Sequence, residues 1–210
     1  MECPPDTQLI ASIKKDSAAN APVTDTITLQ GAQIIHSEVH SITPSTNYAT
    51  SGRLAVWSIT NNNVPDTAHS FLRFDYSSVP SGITVNSAVL TLYADTSQIE
   101  VGQKGYTVLS GPNNWIIAPV ADAWQATTIN WNNAPGYYSA NTINVPASTS
   151  PFQTYTIDLT SLVKNELSQG SGNFGIIMEL VTESKWRGLA FYSPEGPAGL
   201  RPTLVITYKK

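Results

Sequence analysis

The chain has 210 residues, of which 41% are aliphatic or aromatic, enough to bury a sizeable core and to speak against wholesale disorder. Charged residues make up only 12%, about half the ~25% of an average soluble domain. A net charge of −4 with 11 scattered Lys and Arg argues against a nucleic-acid partner, and no apolar run approaches the ~20 residues of a membrane span.

Residues 1–25 mix Pro, Asp, Ser, Ala and Asn without a sustained period and read as a flexible N-terminal arm or linker, leaving 26–210 as one β domain. Cys3 stands alone in that arm, so it forms no internal disulfide; it is either an incidental thiol or an anchor at the head of a tether. An extended arm of this kind can also reach a protein partner by adding to an open sheet edge. From Thr26 onward, short β-branched and aromatic runs alternate with turn clusters. The spacing predicts strands at 34–39, 54–59, 71–76, 88–94, 105–109, 154–159, 175–181, 189–192 and 203–208. In the first of these, His36, Glu38 and His40 share a face, and polarity predicts that this face is solvated. The two histidines stand ~13 Å apart at Cα, too far to share one metal ion easily.

Alternation assigns the remaining faces. Leu72 and Phe74 point to one side, Arg73 and Asp75 to the other; Ala88, Leu90 and Leu92 oppose Val89, Thr91 and Tyr93. Strands with one apolar face need a second layer, which predicts an all-β fold: a two-sheet antiparallel β-sandwich. One short helix fits, over 161–167, with Thr160 as its cap and Gly170 as its stop.

Chemistry is sparse. The sequence carries no nucleophile elbow, Cys/His arrangement or phosphate loop. Glu100, Asp122, Asp158, Glu166, Glu179, Glu183 and Glu195 qualify as glycosidase carboxylates by type only, and nothing pairs any two of them, so no catalysis is expected. Binding has more support, because five Trp and nine Tyr supply flat amphipathic rings on which sugar C–H faces stack. Cations lie beside several of these rings. The candidate carbohydrate-binding residues are Arg53 and Trp57, Arg73, Lys104 and Tyr106, Trp115, and the run Lys185, Trp186 and Arg187.

A family likeness runs through seven blocks in order. It starts at Ser45-Thr46-Asn47-Tyr48-Ala49-Thr50-Ser51-Gly52-Arg53-Leu54 and continues through Leu72-Arg73-Phe74-Asp75-Tyr76 to Ser87-Ala88-Val89-Leu90. It then passes Trp124-Gln125-Ala126-Thr127-Thr128-Ile129-Asn130-Trp131, Ile157-Asp158-Leu159 and Asn173-Phe174-Gly175-Ile176, and ends at Tyr192-Ser193-Pro194-Glu195 with Arg201-Pro202. This order resembles the DNRLRE domain family. The resemblance implies a jelly-roll sandwich, extracellular or on the cell surface, that serves as a non-catalytic module for a polysaccharide partner of the acidic, alginate-like kind. It implies no required cofactor and allows a structural calcium, although the spacing marks no site for one. Gln33 and Ala49 depart from the family pattern, which more often has Asp and Gly there.

Overall fold

A computed structural model describes residues 23–97, 99–100, 103–104 and 106–210; most of the predicted arm, Cys3 and the Lys104 side chain lie outside the described residues. The strands in chain order are β1 (Thr24–Gln30), β2 (Ile34–His40), β3 (Arg53–Asn61), β4 (Val64–Phe74), β5 (Thr84–Leu92), β6 (Ile99–Glu100) and β7 (Gln103–Lys104). They continue as β8 (Tyr106–Val108), β9 (Trp115–Pro119), β10 (Ile143–Val145), β11 (Tyr155–Asp158), β12 (Ile176–Leu180), β13 (Arg187–Tyr192) and β14 (Thr203–Lys209). Helix α1 spans Thr160–Gln169. All pairings are antiparallel. One sheet runs β1-β14-β5-β11; the larger runs β10-β9-β12-β4-β3-β13-β8, with β2 also on β4. The expected two-sheet sandwich is therefore the observed fold.

The core lies between the sheets. Leu29, Ala88, Leu90, Leu92, Leu204 and Ile206 from the smaller sheet meet Leu54, Val56, Leu72, Phe74, Ile176 and Phe191 from the larger one, all buried. Each such side chain contributes ~1.5–3 kcal/mol by leaving water. The larger sheet buries its opposite face too: Val39, Phe71, Ile116 and Ile177 are covered by Trp124 and Ile129 of the connection between β9 and β10. A third cluster gathers Ala55, Trp57, Ile59, Ala68 and Ala190.

Helix α1 joins the main core through Leu162 and Val163. Its start departs from expectation. Thr160 is the first helical residue, and its hydroxyl accepts the Ala88 N–H at 2.9 Å; Asp158 Oδ1 takes the Thr160 N–H at 2.8 Å instead. Gly170, with φ +59, ends the helix as predicted. No helix among the described residues is long and apolar enough to cross a membrane.

Candidate functional site

The site starts from a break in a ladder. Strands β3 and β4 pair from Asn61↔Val64 as far as Trp57↔Ala68, where β2 also reaches β4 through His40↔Ala68. Beyond that point Ala55 has no partner on β4, and side chains complete its backbone. Glu38 Oε2 accepts the Ala55 N–H at 2.9 Å, and the Ser70 hydroxyl donates to the Ala55 carbonyl at 2.9 Å. A fully buried carboxylate is thus held at the root of β3.

Glu38 heads a charged network. The Ser51 hydroxyl donates to its Oε1 at 2.7 Å, Arg53 Nε lies 3.6 Å away, and His40 Nε2 faces it at 3.5 Å, long for a hydrogen bond but close enough for charge attraction. On its other side His40 donates from Nδ1 to Asp66 Oδ2 at 2.9 Å. Burial disfavours a charged imidazole, but Asp66 and Glu38 outweigh it and raise the His40 pKa to about 9. Asp66 is held below the usual carboxylate range despite its burial, by His40 and by donation from Trp57 Nε1 (3.1 Å) and the Ile42 N–H (3.3 Å). Near neutral pH two cations therefore balance two carboxylates. The face of β2 expected to be solvated is buried: His36, Glu38 and His40 are 4%, 0% and 3% exposed. Their partners come from β3, β4 and the β2–β3 loop, which the pattern of a single strand does not reveal.

Above this network opens a cleft of about 710 Å³, lined by Tyr48, Arg53, Asp95, Tyr192 and Glu195 among others, with Glu38 in its wall. Its loops are tied down. Asn47 donates from Nδ2 to the Ala126 and Ile129 carbonyls at 2.6 and 2.7 Å, and Tyr48 lies 4.5 Å from the His40 ring with its hydroxyl bonded to Thr43. The Ser51 carbonyl accepts from Ser193 Oγ at 2.7 Å and from His36 Nε2 at 3.1 Å. Asp95 Oδ1 accepts both the N–H and the hydroxyl of Ser97. Arg201 donates from Nε to the Gly196 carbonyl at 2.8 Å, which fixes the turn that carries Glu195. Such a cleft offers a rigid guanidinium, phenol rings and carboxylate acceptors, the groups that grip hydroxylated rings. The model for carbohydrate-binding module family 96 matches residues 32–208 of the chain.

The chain belongs to carbohydrate-binding module family 96. No curated protein matches it.

In this family-96 module the residues expected to touch sugar separate into two exposed groups and a buried remainder. Arg53 reaches the cleft with 24% of its side chain exposed, and its guanidinium lies 4.6 Å from the Trp57 ring centre. Trp57 itself is 3% exposed beneath that arginine, a correction to its expected contact with sugar: the indole packs under Arg53 instead. Trp115 is a correction. At 0% exposure it packs against Tyr155 and Phe191 with ring centres 5.3 and 5.4 Å apart, in the main core. Arg73 is half-buried, lies 5.5 Å from the Trp124 ring and donates to the Trp124 carbonyl, and it is not among the residues that line the cleft. Tyr106 is half-buried and packs on the main core.

Lys185, Trp186 and Arg187 meet at the opposite end of the β3–β13 pair, where Arg187 pairs with Ser58. Trp186 is 41% exposed and adopts a left-handed backbone with φ +64, a conformation a bulky residue keeps only when its surroundings impose it. They do so here. Its indole Nε1 donates to Thr60 Oγ1 at 3.2 Å, its carbonyl accepts from Thr107 Oγ1 at 3.1 Å, and Ser110 donates to the Lys185 carbonyl. Arg187 braces the loop through Nη2 to the Ser110 carbonyl at 2.9 Å.

One group among the described residues has the makings of a metal site: His69, Glu179 and Glu183, with ligand atoms within 4.8 Å of one another. His69 Nε2 is bonded to Glu183 at 2.5 Å and Nδ1 lies 3.7 Å from Glu179, so an ordinary ion pair already accounts for the geometry. An imidazole among the ligands does not suit calcium, which takes oxygen donors.

Proposed function

We propose that this module is non-catalytic, works outside the cell, and binds an acidic polysaccharide in the cleft, with Arg53 receiving a sugar carboxylate and Tyr48 and Tyr192 meeting the ring faces. The observation that carries this reading is the presentation of Arg53. Arg53 lines the cleft with its side chain 24% exposed, and its guanidinium lies against Glu38 and the Trp57 ring. A preorganised guanidinium makes strong, directional bonds to a carboxylate. The non-catalytic part is supported by how fully Glu38 is engaged, since a carboxylate that accepts from Ser51 and Ala55 and faces two cations is poorly placed to shuttle protons. The exposed indole of Trp186 beside Lys185 offers a second contact for a long chain. Low charge and abundant hydroxyl and amide side chains agree with an extracellular setting.

A second reading, a neutral polysaccharide in the same cleft, is favoured by Asp95 and Glu195 in the lining, which add negative charge near any uronate. Affinity electrophoresis through gels containing alginate, pectate, mannan or glucan separates the two. The acidic reading predicts retardation on alginate or pectate that weakens with salt and strengthens about two- to fivefold in Glu195→Gln, because one repulsive charge is removed. Salt-independent retardation on a neutral polymer alone, weakened by Glu195→Gln, selects the neutral reading. No retardation on any polymer overturns both.

A further inference from the structure

A second cavity, of about 290 Å³, shares no lining residue with the cleft. It lies between α1, the Tyr138–Asn141 stretch and the approach to β12, and Glu166 of α1 is in its wall. Glu166 is 7% exposed. The Tyr76 hydroxyl donates to its Oε2 at 2.5 Å, whereas Oε1 has no hydrogen-bond partner. A buried acceptor left in that condition weakens the fold, and a donor that reaches it offsets the loss. Glu166 thus both lines the cavity and carries the unpartnered oxygen.

The other polar side chains lining this space are the amides of Asn165, Gln169 and Asn141 and the Tyr138 phenol, whose hydroxyl donates to the Ala121 carbonyl, and Phe174 is among the apolar walls. Lys and Arg are absent from the lining. Burial raises the Glu166 pKa to about 7 against the opposing pull of Tyr76, so at pH 7 about half of the molecules keep the carboxyl protonated, a form that can both give and take a hydrogen bond. An uncharged set of two-way partners over apolar walls matches hydroxyls and repels carboxylates. The volume falls at the low end of the ~300–1,000 Å³ of small-molecule sites, room for one ring and not for a chain.

We propose that this cavity is a second ligand site that takes a single neutral, hydroxyl-bearing ring, a sugar unit, against Glu166, Asn165 and Gln169. The sugar identity rests on the carbohydrate-binding reading; the site itself rests on the cavity and its unpartnered carboxyl oxygen. The test is a ¹H–¹⁵N correlation titration of the full chain at pH 7 with methyl glucoside, methyl mannoside and methyl galactoside, and separately with glucuronate and butylamine. The expected result is saturable shifts of the Asn165 and Gln169 side-chain amides with at least one neutral glycoside. Affinity falls about fivefold or more in the exposed helix variant Asn165→Ala/Gln169→Ala, as expected when hydrogen bonds are lost. Ser161→Ala, exposed on the same helix and outside the cavity lining, stays within about twofold because it removes no such hydrogen bond. Absence of shifts with every neutral glycoside, shifts with glucuronate or butylamine alone, or shifts that survive the helix double variant would overturn the proposal. Polymer retardation on gels reads the cleft separately, so either site can fail while the other stands.

Discussion

At the residue scale the determining feature is the group of charges sealed beneath the cleft. His40 carries its proton because Asp66 and Glu38 flank it, so its folded pKa of about 9 exceeds its ordinary 6.5. The stabilisation is complete below about pH 6.5 and is lost as pH rises through 9, on the order of 3 kcal/mol in all. Glu166 acts in an earlier window. Its folded pKa is raised from 4.5 to about 7, so stability falls between those values, where the unfolded chain ionises and the folded one keeps its proton. Asp66, held low, contributes stability that disappears in acid as pH falls through its folded pKa. Denaturant unfolding measured from pH 4 to 10 should therefore decline in two steps, the first absent in Glu166→Gln and the second in His40→Gln. A flat profile would refute the network. Little of this was legible in the sequence. The i, i+2, i+4 spacing placed His36, Glu38 and His40 on one face correctly, but whether that face meets water depends on Asp66, Arg53 and Ser51, residues 13 to 28 positions from Glu38 in the chain whose proximity only the pairing of β2, β3 and β4 creates.

Among the elements, two glycines set how closely strands approach. Gly175 leads into β12 with φ +78, and a Cβ there would stand 2.1 Å from the Leu72 carbonyl oxygen. Gly188 on β13 faces Trp57, where a Cβ would meet the Trp57 Cβ at 2.5 Å. Gly175→Ala is expected to cost about 2 kcal/mol or more by combining a left-handed backbone with a clash against main chain, and thermal unfolding would show it; an unchanged midpoint would contradict the packing described. Strands with clean alternation, such as β5 and β14, were readable because one face is core and the other is partly open. Strand β9 was not. Trp115, Ile116, Ile117 and Ala118 are buried on both faces, since the β9–β10 connection covers the side away from the main core, and a continuous apolar run carries no period to read. Aromatic abundance misled because Trp57, Trp115 and Trp124 are buried, each in a different cluster, and composition does not separate a packed indole from a wet one.

For the whole molecule, the family-96 sandwich presents the cleft and the Trp186 shelf at opposite ends of the β3–β13 pair and places the Glu166 cavity beside α1. The fold was largely legible because burial of one apolar face per strand leaves few alternatives. Of the candidate binding residues, Arg53 lines the cleft and Trp186 is exposed, whereas Trp115 is in the core, a difference that residue type alone does not carry. A chain bound at both ends of β3–β13 would gain from multivalency, so Trp186→Ala should weaken binding of a long polymer by more than it weakens a short oligosaccharide, as comparative gel retardation would reveal; equal losses would argue against the shelf. The most direct test of the account is isothermal titration of a short oligouronate into the wild-type module and into Arg53→Ala and Arg53→Lys. The account predicts about tenfold or greater loss in Arg53→Ala, the size expected for a charge-assisted hydrogen bond, with partial recovery in Arg53→Lys and cooperative unfolding retained. Undiminished affinity in a folded Arg53→Ala would contradict it.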